Sequence, residues 1–283
     1  MDELLELHQG HPKLSLRRFA RYVDVPYHKL RDHRKSAARR VDKEHQQREL
    51  KELVRTTALA HPTYGYRLLY QELQDHDSPI GLHRVRLALN SLGLSTAEPK
   101  KKRRPRLETP VPQDWPTGRR IQIDATRLSL SDGVCWVYFV LDIQSRVVLA
   151  SRAVRSLSKY EAKLTLDEGV AVLHNLGFKE PIVVQSDGGS DFTSELFQQA
   201  CKQYGSWIRS KVSQVGGMGI LERLNRTYKY QFAFRHDWQS LPELRSALPT
   251  FMHWYNHQRR HSALSYNTPW HTLVSMAPPL FAA

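Results

Sequence analysis

Residues 120–126 read RIQIDAT and residues 134–142 read VCWVYFVLD, and these two stretches decide the fold. The first alternates apolar and polar side chains, as a half-buried strand does, and the second is an almost continuous apolar run. The later patterns predict a third, Val-rich strand over 145–154, helices over 158–176, 194–204 and 218–234, and strands over 182–186 and 206–212. Three successive strands followed by alternating helices and strands predict a mixed sheet flanked by helices, an α/β fold.

The sequence before residue 119 predicts helices only. Residues 14–38 indicate two helices around a turn at 24–26, and the second helix is strongly basic. This pattern is typical of a helix-turn-helix whose second helix meets DNA, and an amphipathic pair with a solvated basic face is the alternative. Residues 45–95 predict a second helical unit with two arginines on its third helix. The predicted DNA contacts in these two units are Lys29, Arg31, Arg34, Lys35, Arg84 and Arg86.

A basic linker follows the helical units. Six cations stand in eight residues, a density that prevents packing and favours an extended chain. The run either spaces two domains apart or follows a phosphate backbone. The six cations are Lys100, Lys101, Lys102, Arg103, Arg104 and Arg106. The predicted division is a helix-turn-helix unit at 1–47, a second helical DNA-binding unit at 48–97, the linker at 98–118 and an α/β domain at 119–283.

The overall charge points to a polyanionic partner. The net charge is +14 and the sequence pI is about 9.9. A membrane surface is the rival partner, but the sequence lacks an apolar run of 18 residues, and its acidic start does not resemble a signal peptide. We therefore expect a cytoplasmic, nucleoid-associated protein. Cys135 and Cys201 are predicted to be buried thiols, and the absence of cysteine before them excludes an N-terminal zinc module with two His and two Cys.

Three acids stand at positions that favour metal chemistry. Asp124 lies in the first predicted strand, Asp187 directly follows the strand over 182–186, and Glu222 lies in a predicted helix. Singly, they could be a strand-end residue, a turn cap before Gly188 and a surface helix residue. Drawn together, three carboxylates repel each other unless a cation neutralises them. Oxygen ligands suit Mg²⁺ or Mn²⁺, and two such ions can support phosphoryl transfer.

Several motifs make a family resemblance specific. The segment around Asp187 reads SDGGSDFTS and the segment around Glu222 reads LERLNRTYK, and Glu222 follows Asp187 by 35 positions. Together with Asp124, they resemble the Asp-Asp-Glu triad of the retroviral-integrase-type catalytic core. Residues 254–264, WYNHQRRHSAL, resemble the end of that core, and residues 61–67, HPTYGYR, resemble the helical segment upstream of it in bacterial insertion-sequence transposases, above all the insertion sequence 3 family. The resemblance covers about residues 48–272.

The resemblance implies a fold, an activity and partners. It implies a ribonuclease-H-like, mixed five-stranded sheet and a transposase that binds the terminal inverted repeats and the target DNA. Asp124, Asp187 and Glu222 would hold two Mg²⁺ ions, with Mn²⁺ as a substitute, for end cleavage and strand transfer. Arg226 and Lys229 lie one and two turns after Glu222 on its helix face and would contact DNA, and an ordinary Glu–Arg helix pair is the alternative. A homo-oligomer on DNA is expected, and a fusion with an upstream frame is an open alternative.

The chain departs from the family pattern at a few positions. Gly188 stands where an Arg or Asn is usual, Asp191 where a Gln or Glu is frequent, and residues 214–220 replace an Asn-containing turn. These departures leave the triad intact and affect the order of the loop and its substrate contacts. Asp142 also lies on a strand, but its spacing does not match the triad, and we interpret it as structural.

Three other functions compete with transposition. A DNA-binding regulator with a dead catalytic domain predicts a broken triad, whereas all three acids are present. A structure-directed nuclease with the same sheet does not account for the helical units and the basic linker. A membrane-surface or scaffold protein explains only the charge.

Overall fold

The computed structural model describes residues 1–74, 80–95, 116–210 and 217–279. The chain divides into two compact units, Met1–Lys100 and Lys101–Ala283. The six cations of the predicted basic linker lie outside the described residues. Among the helices that are described, none has both the length and the apolar character needed to cross a membrane.

The described part of the first unit is helical. Its helices are α1 (Asp2–Gln9), α2 (Leu16–Tyr22), α3 (Tyr27–Ala60), α4 (Tyr66–Gln74) and α5 (Leu82–Ser91). The Ser15 hydroxyl caps α2 by accepting a hydrogen bond from the Arg18 amide. Asp24 adopts a φ of 50° in the turn before α3. Leu5, Phe19 and Leu30 close a small core, so the predicted pair of helices around a turn is present.

The structure corrects the predicted extent of the second helix. It does not end near residue 38 but continues to Ala60, and the helix predicted around residue 50 is part of the same α3. Residues 39–47 contain neither Gly nor Pro and consist largely of good helix formers, so nothing in this stretch ends a helix. The division predicted at 47/48 therefore lies inside a continuous helix. Leu30 is buried near its start and Leu50 near its end, so α3 joins two small cores.

The second unit contains a five-stranded sheet. Its described elements are β1 (Arg119–Leu130), β2 (Gly133–Asp142), β3 (Val148–Val154), α6 (Lys159–Asn175), β4 (Ile182–Ser186), α7 (Glu195–Tyr204), β5 (Gly205–Arg209), α8 (Gly219–Gln231), α9 (Leu241–His253) and α10 (Pro269–Met276). The strand order is β3-β2-β1-β4-β5. The first three strands pair antiparallel, and β1–β4 and β4–β5 pair parallel. This is the predicted ribonuclease-H-like mixed sheet, and the prediction is confirmed.

Helices cover both faces of this sheet. Ile121 and Ile123 pack with α6 and α7, whereas Leu128 packs with α8 and α9 on the opposite face. Successive side chains of a strand point to opposite faces. Asp124 therefore lies on the face that α8 covers.

The turn between β2 and β3 explains one shifted boundary. The third strand was predicted from residue 145 but begins at Val148. The Asp142 carboxylate accepts hydrogen bonds from the backbone amide of Ser145 at 2.8 Å and from Arg119 at 2.9 Å, and Arg146 has a φ of 64°. Ser145 is thus held in a turn and cannot pair in the sheet.

The remaining differences lie at element ends. The last predicted strand ends at Arg209 rather than at residue 212, and residues 211–212 are outside the described part. The helix predicted over 218–234 ends at Gln231, and a short 3₁₀ turn covers Ala233–Arg235. Cys135 and Cys201 are free buried thiols, as predicted.

Candidate active site

Asp124 lies in β1 at the level where β4 ends. Its Oδ1 accepts a hydrogen bond from the amide of Ala125 at 2.8 Å, and its Oδ2 accepts one from Nδ2 of Asn225 at 2.9 Å. Asn225 belongs to α8, so this contact ties the strand carboxylate to the helix that carries Glu222. The Asp124 side chain is half-buried, whereas Asp187 and Glu222 are exposed.

The parallel pairing of β1 and β4 brings the two aspartates to one level. Gln122 pairs with Gln185 in the sheet register. Asp124 and Asp187 each follow their paired glutamine by two residues, and paired strands lie about 4.8 Å apart. Asp187 therefore leaves β4 beside Asp124. One Asp187 oxygen, Oδ1, caps the following turn by accepting from the Gly189 amide at 2.9 Å.

Two buried glutamines fix the start of α8 against the sheet. Gln122 donates to Gln185 at 3.1 Å and to the carbonyl of Gly217 at 2.9 Å, and its Oε1 accepts from the amide of Leu221 at 3.0 Å. Both glutamine side chains are fully buried. The helix turn that carries Glu222 is thereby held at the sheet edge where the two aspartates lie.

The three carboxylates interact electrostatically. Burial raises the pKa of Asp124 to about 6, and the negative charges of Asp187 and, less strongly, Glu222 raise it as well. The hydrogen bonds from Ala125 and Asn225 act in the opposite direction. No Lys, Arg or His forms an ion pair with any of the three acids within the described part of the chain.

Asp124, Asp187 and Glu222 lie in one region but do not form a complete metal-binding site. Within the ranges that the structure describes, no three His, Cys, Asp or Glu side chains are close enough to form a ready ligand set. Asp124 and Asp187 share a level of the sheet, and Glu222 acts on Asp124 from α8. The structure thus brings the predicted acids to one region without closing them around a common point.

We predict that the Asp124 carboxyl titrates near pH 6 in protein free of divalent cations, measured by carboxyl ¹³C NMR. Asp187→Asn should lower this pKa because it removes a neighbouring negative charge, and Asn225→Leu should raise it because it removes a hydrogen bond to the charged form. Since the folded-state pKa lies above the usual value, stability from this group is present at low pH and is lost as pH rises through about 6. An Asp124 pKa that stays the same in Asp187→Asn would contradict the clustering of these acids.

The loop after Asp187 is held by a buried hydrogen bond between Asp191 and Tyr138 of β2. Asp191 is buried and accepts a hydrogen bond from the hydroxyl of Tyr138 at 2.6 Å, and that hydroxyl also accepts one from the Ser158 amide at 3.1 Å. Burial and the Asp191 carboxylate raise the pKa of Tyr138, so its hydroxyl keeps its proton. Asp191, which stands where a Gln or Glu is frequent in the family, is therefore compatible with an ordered loop.

The predicted DNA contacts are mostly on the surface. Lys29, Arg34, Lys35, Arg84, Arg86 and Arg226 are exposed. Arg31 is half-buried and forms an ion pair with Asp32 at 2.8 Å, and Lys229 is half-buried on α8. Their contact with DNA remains a prediction, because no described feature tests it.

Sequence reasoning missed the residues that position the acids. Gln122, Gln185 and Asn225 were not assigned a role, although each contributes to the contacts of Asp124 or of α8. A signal was present for two of them. A glutamine between Ile121 and Ile123, and another at the end of the apolar run 182–184, are buried polar positions that require partners.

Two family models together match most of the second unit. Residues 117–215 match the integrase core domain, and residues 207–269 match a second model with the same description. A transposase for insertion sequence element IS629 from Shigella sonnei is 24% identical over 234 residues, 77% of this chain and 76% of that protein. An insertion element IS407 uncharacterized 31.7 kDa protein from Burkholderia multivorans (strain ATCC 17616 / 249) is 23% identical over 231 residues, 76% and 78% of the two chains.

Solved structures show a weaker likeness. A chain of a simian T-cell lymphotropic virus intasome in complex with PP2A regulatory subunit B56 gamma has 17% identity and a TM-score of 0.47, covering 81% of this chain and 76% of that one. The HTLV-2 integrase catalytic core domain in complex with magnesium has 20% identity and a TM-score of 0.41, covering 54% and 95%. The fold assignment rests instead on the order and direction of the strands.

Strand order and sequence matches agree on the class. Residues 117–269 form an integrase core domain on a ribonuclease-H-like sheet. The chain therefore carries an integrase core domain, and the two similar proteins come from insertion sequences, so the family resemblance predicted from its motifs is confirmed.

Proposed function

We propose that the protein is a DNA transposase that binds the terminal inverted repeats of its element, cleaves the element ends and joins them to target DNA. The single observation that carries this proposal is the placement of Asp124 at the level of Asp187 on one sheet edge, hydrogen-bonded to the helix that carries Glu222. The match to the integrase core domain and the similarity to an insertion-sequence transposase support the same reaction class.

The donor chemistry of these acids fits divalent cations. Carboxylate oxygens are the ligands that Mg²⁺ and Mn²⁺ prefer. Burial, and after it the charges of Asp187 and Glu222, raise the pKa of Asp124, and the Asn225 side-chain oxygen is buried without a hydrogen-bond partner in the described region. We propose that Asp124, Asp187 and Glu222 hold two Mg²⁺ ions, or Mn²⁺ in their place. Bound at this edge, such ions would activate the attacking oxygen and stabilise the leaving one.

The reaction consists of two substitutions at phosphorus. In the first, a water oxygen forms a bond to the phosphorus at the element end, the bond to the 3′ oxygen breaks, and that oxygen takes a proton. In the second, the freed 3′-OH loses its proton and its oxygen attacks a target phosphodiester, whose own 3′ oxygen leaves. The chain's part is to hold the acids at the sheet edge through Gln122, Gln185 and α8, and to align the DNA.

DNA binding is distributed along the chain in this proposal. Lys29, Arg31, Arg34 and Lys35 on α3 and Arg84 and Arg86 on α5 bind the element ends, and Arg226 and Lys229 on α8 contact DNA beside the acids. The six linker cations between residues 100 and 106 contact phosphates without reading sequence, because they lack the amide and aromatic partners that base edges require. We further propose that the protein acts as a homo-oligomer on DNA in the cytoplasm.

A fragment of residues 1–95 is expected to bind element-end DNA without the catalytic unit. It contains the basic start of α3 and the two arginines of α5. Gel-shift titrations should show preference for end sequence over random duplex and an affinity that falls steeply with salt. Removing the charge of Arg84 and Arg86 should weaken binding, whereas Glu44→Gln and Glu49→Gln on the exposed middle of α3 should not. Equal affinity for all duplexes would reduce this fragment to an electrostatic anchor.

The proposed function as a whole is tested by a strand-transfer assay. The full chain is incubated with Mg²⁺, a supercoiled plasmid and a labelled duplex of the DNA that borders its coding sequence. The proposal expects covalent joining of the labelled 3′ end to the plasmid, dependent on the divalent cation. Sequencing should recover inverted repeats at the joined end. Plasmid nicking without joining would indicate a nuclease, and binding without any bond breakage would indicate a regulator.

A further inference from the structure

Arg209 is a cation at the sheet edge where Asp124 and Asp187 lie. It is the last residue of β5, and it pairs in the parallel register with Ser186, the residue before Asp187. Its side chain is exposed. The strand register therefore places this guanidinium next to the loop that carries the second acid.

The guanidinium lies directly over Gly188. A Cβ atom added at Gly188 would come within 2.7 Å of Nε and 2.9 Å of Cζ of Arg209, distances that real Cβ atoms do not reach. The φ of Gly188 is not in the left-handed region, so its backbone does not itself require glycine. What the glycine provides is space. Its missing side chain lets the planar guanidinium rest on the backbone immediately after Asp187.

No ion pair accounts for this placement. Among the residues that the structure describes, no carboxylate lies within 4.0 Å of the Arg209 nitrogens, which includes the neighbouring Asp187. An exposed guanidinium with no carboxylate partner keeps its fork of N–H donors available. That fork matches the paired oxygens of a phosphate, and Arg binds phosphate in this bidentate manner more readily than Lys does.

From this geometry we infer that Arg209 is a phosphate-binding residue of the active site, seated on Gly188. It binds a DNA phosphate close to the reacting phosphodiester and so sets the position of the strand against Asp187. This inference rests on the proposed function, because it takes the reacting strand to lie along this edge. It adds a substrate contact that neither the three carboxylates nor Arg226 and Lys229 of α8 supply.

The first test measures binding, so it does not require catalysis. Duplexes of the bordering DNA, cut at the element end, carry one neutral methylphosphonate at successive positions, and the affinity of the full chain is measured for each. For the native chain, one position near the reacting phosphodiester should lower affinity about 10- to 100-fold, the range of a charge-assisted hydrogen bond. Arg209→Ala should bind the unmodified duplex that much more weakly and should no longer respond at that position.

A relocated cation provides the second test. In the double variant Gly188→Arg/Arg209→Ala the new side chain starts from the space that Arg209 vacates, so affinity and the response to methylphosphonate should return in large part. Gly188→Ala keeps the charge but displaces the guanidinium and should give an intermediate loss. Arg209→Lys keeps the charge without the fork and should also be intermediate. Lys179→Ala is the matched control. Lys179 is an exposed cation just before the start of β4, at the opposite end of this strand from Asp187.

The outcomes separate this inference from the proposed function. If Arg209→Ala responds to every methylphosphonate as the native chain does, or if it binds no more weakly than Lys179→Ala, the phosphate contact is wrong, whatever the catalytic activity. If the methylphosphonate pattern is found but the native chain joins no DNA, the contact stands and the proposed transposition fails.

Discussion

Replacing Asp124 or Asp187 by Asn, or Glu222 by Gln, is expected to abolish end cleavage and strand transfer while DNA binding persists. The amide keeps the size of the side chain but loses the charge that attracts a divalent cation. Loss of several kcal/mol of transition-state stabilisation corresponds to a rate decrease of at least about a thousandfold. The assay is strand transfer with pre-cut labelled ends, and binding is measured on the same duplex in a gel shift.

The controls for this prediction separate chemistry from folding. Asp237→Asn removes an exposed carboxylate that lies after α8 and should leave strand transfer unchanged. Each triad variant should unfold at the temperature of the native chain or slightly above it, because removing one of several crowded negative charges relieves repulsion. A triad variant with near-native strand transfer would exclude that residue from the site.

Asp142→Ala is expected to lower the free energy of unfolding of the second unit by about 3–5 kcal/mol, because it removes the buried carboxylate that pairs with the buried charge of Arg119. Only the exposed carboxylate of Glu180, 3.4 Å away, then remains beside that charge. The Asp142 and Arg119 side chains form an ion pair at 2.9 Å and are 0% and 2% exposed. The Arg119 guanidinium also lies over the Phe178 ring, with Cζ 4.0 Å from the ring centroid. It cannot move into water without breaking this packing.

Chemical denaturation followed by tryptophan fluorescence measures this loss. All six tryptophans lie beyond residue 114, so the signal reports on the second unit. Arg155→Ala breaks a surface ion pair between Arg155, whose side chain is 42% exposed, and Asp132, whose side chain is 33% exposed. This change should lower the free energy of unfolding by at most about 1 kcal/mol. The double variant Arg119→Met/Asp142→Leu should lose much less than Asp142→Ala, because it leaves no buried charge. Equal losses in Asp142→Ala and Arg155→Ala would show that the buried pair is unimportant for stability.

The sheet could be predicted from the sequence because its signals are local. Alternation over residues 120–126 and the apolar run over 182–184 mark β1 and β4 directly, and an acid beside each strand end pointed to one sheet edge. The pairing register could not be predicted in this way, because it depends on which backbone amides meet. The roles of Gln122 and Gln185 emerge only when that register places them side by side.

In the helical unit, the sequence predicted where a helix begins but not where it ends. The turn before α3 was visible because Pro26 and the apolar spacing mark it, but the end of α3 was not. Residues 39–47 are polar except for Val41 and lack the apolar spacing that marks a buried helix face, so a helix was not predicted across this stretch. In the structure it is helix, and the predicted division at 47/48 falls inside it. Arg209 was missed for a similar reason, since only the fold places it over Gly188.

The central claim is that Asp124, Asp187 and Glu222 bind the divalent cations of a strand-transfer site, and a metal-preference test addresses it most directly. Cysteine is a soft ligand that binds Mg²⁺ poorly and accepts Mn²⁺ more readily. Strand transfer by Asp124→Cys, Asp187→Cys and Glu222→Cys is measured in each metal, beside the corresponding alanine variants. The account predicts that the cysteine variants are inactive in Mg²⁺ and that at least one regains activity in Mn²⁺ by about tenfold or more, while the alanine variants do not. Near-native activity of any cysteine variant in Mg²⁺, or the same residual activity of cysteine and alanine variants in both metals at all three positions, would contradict it.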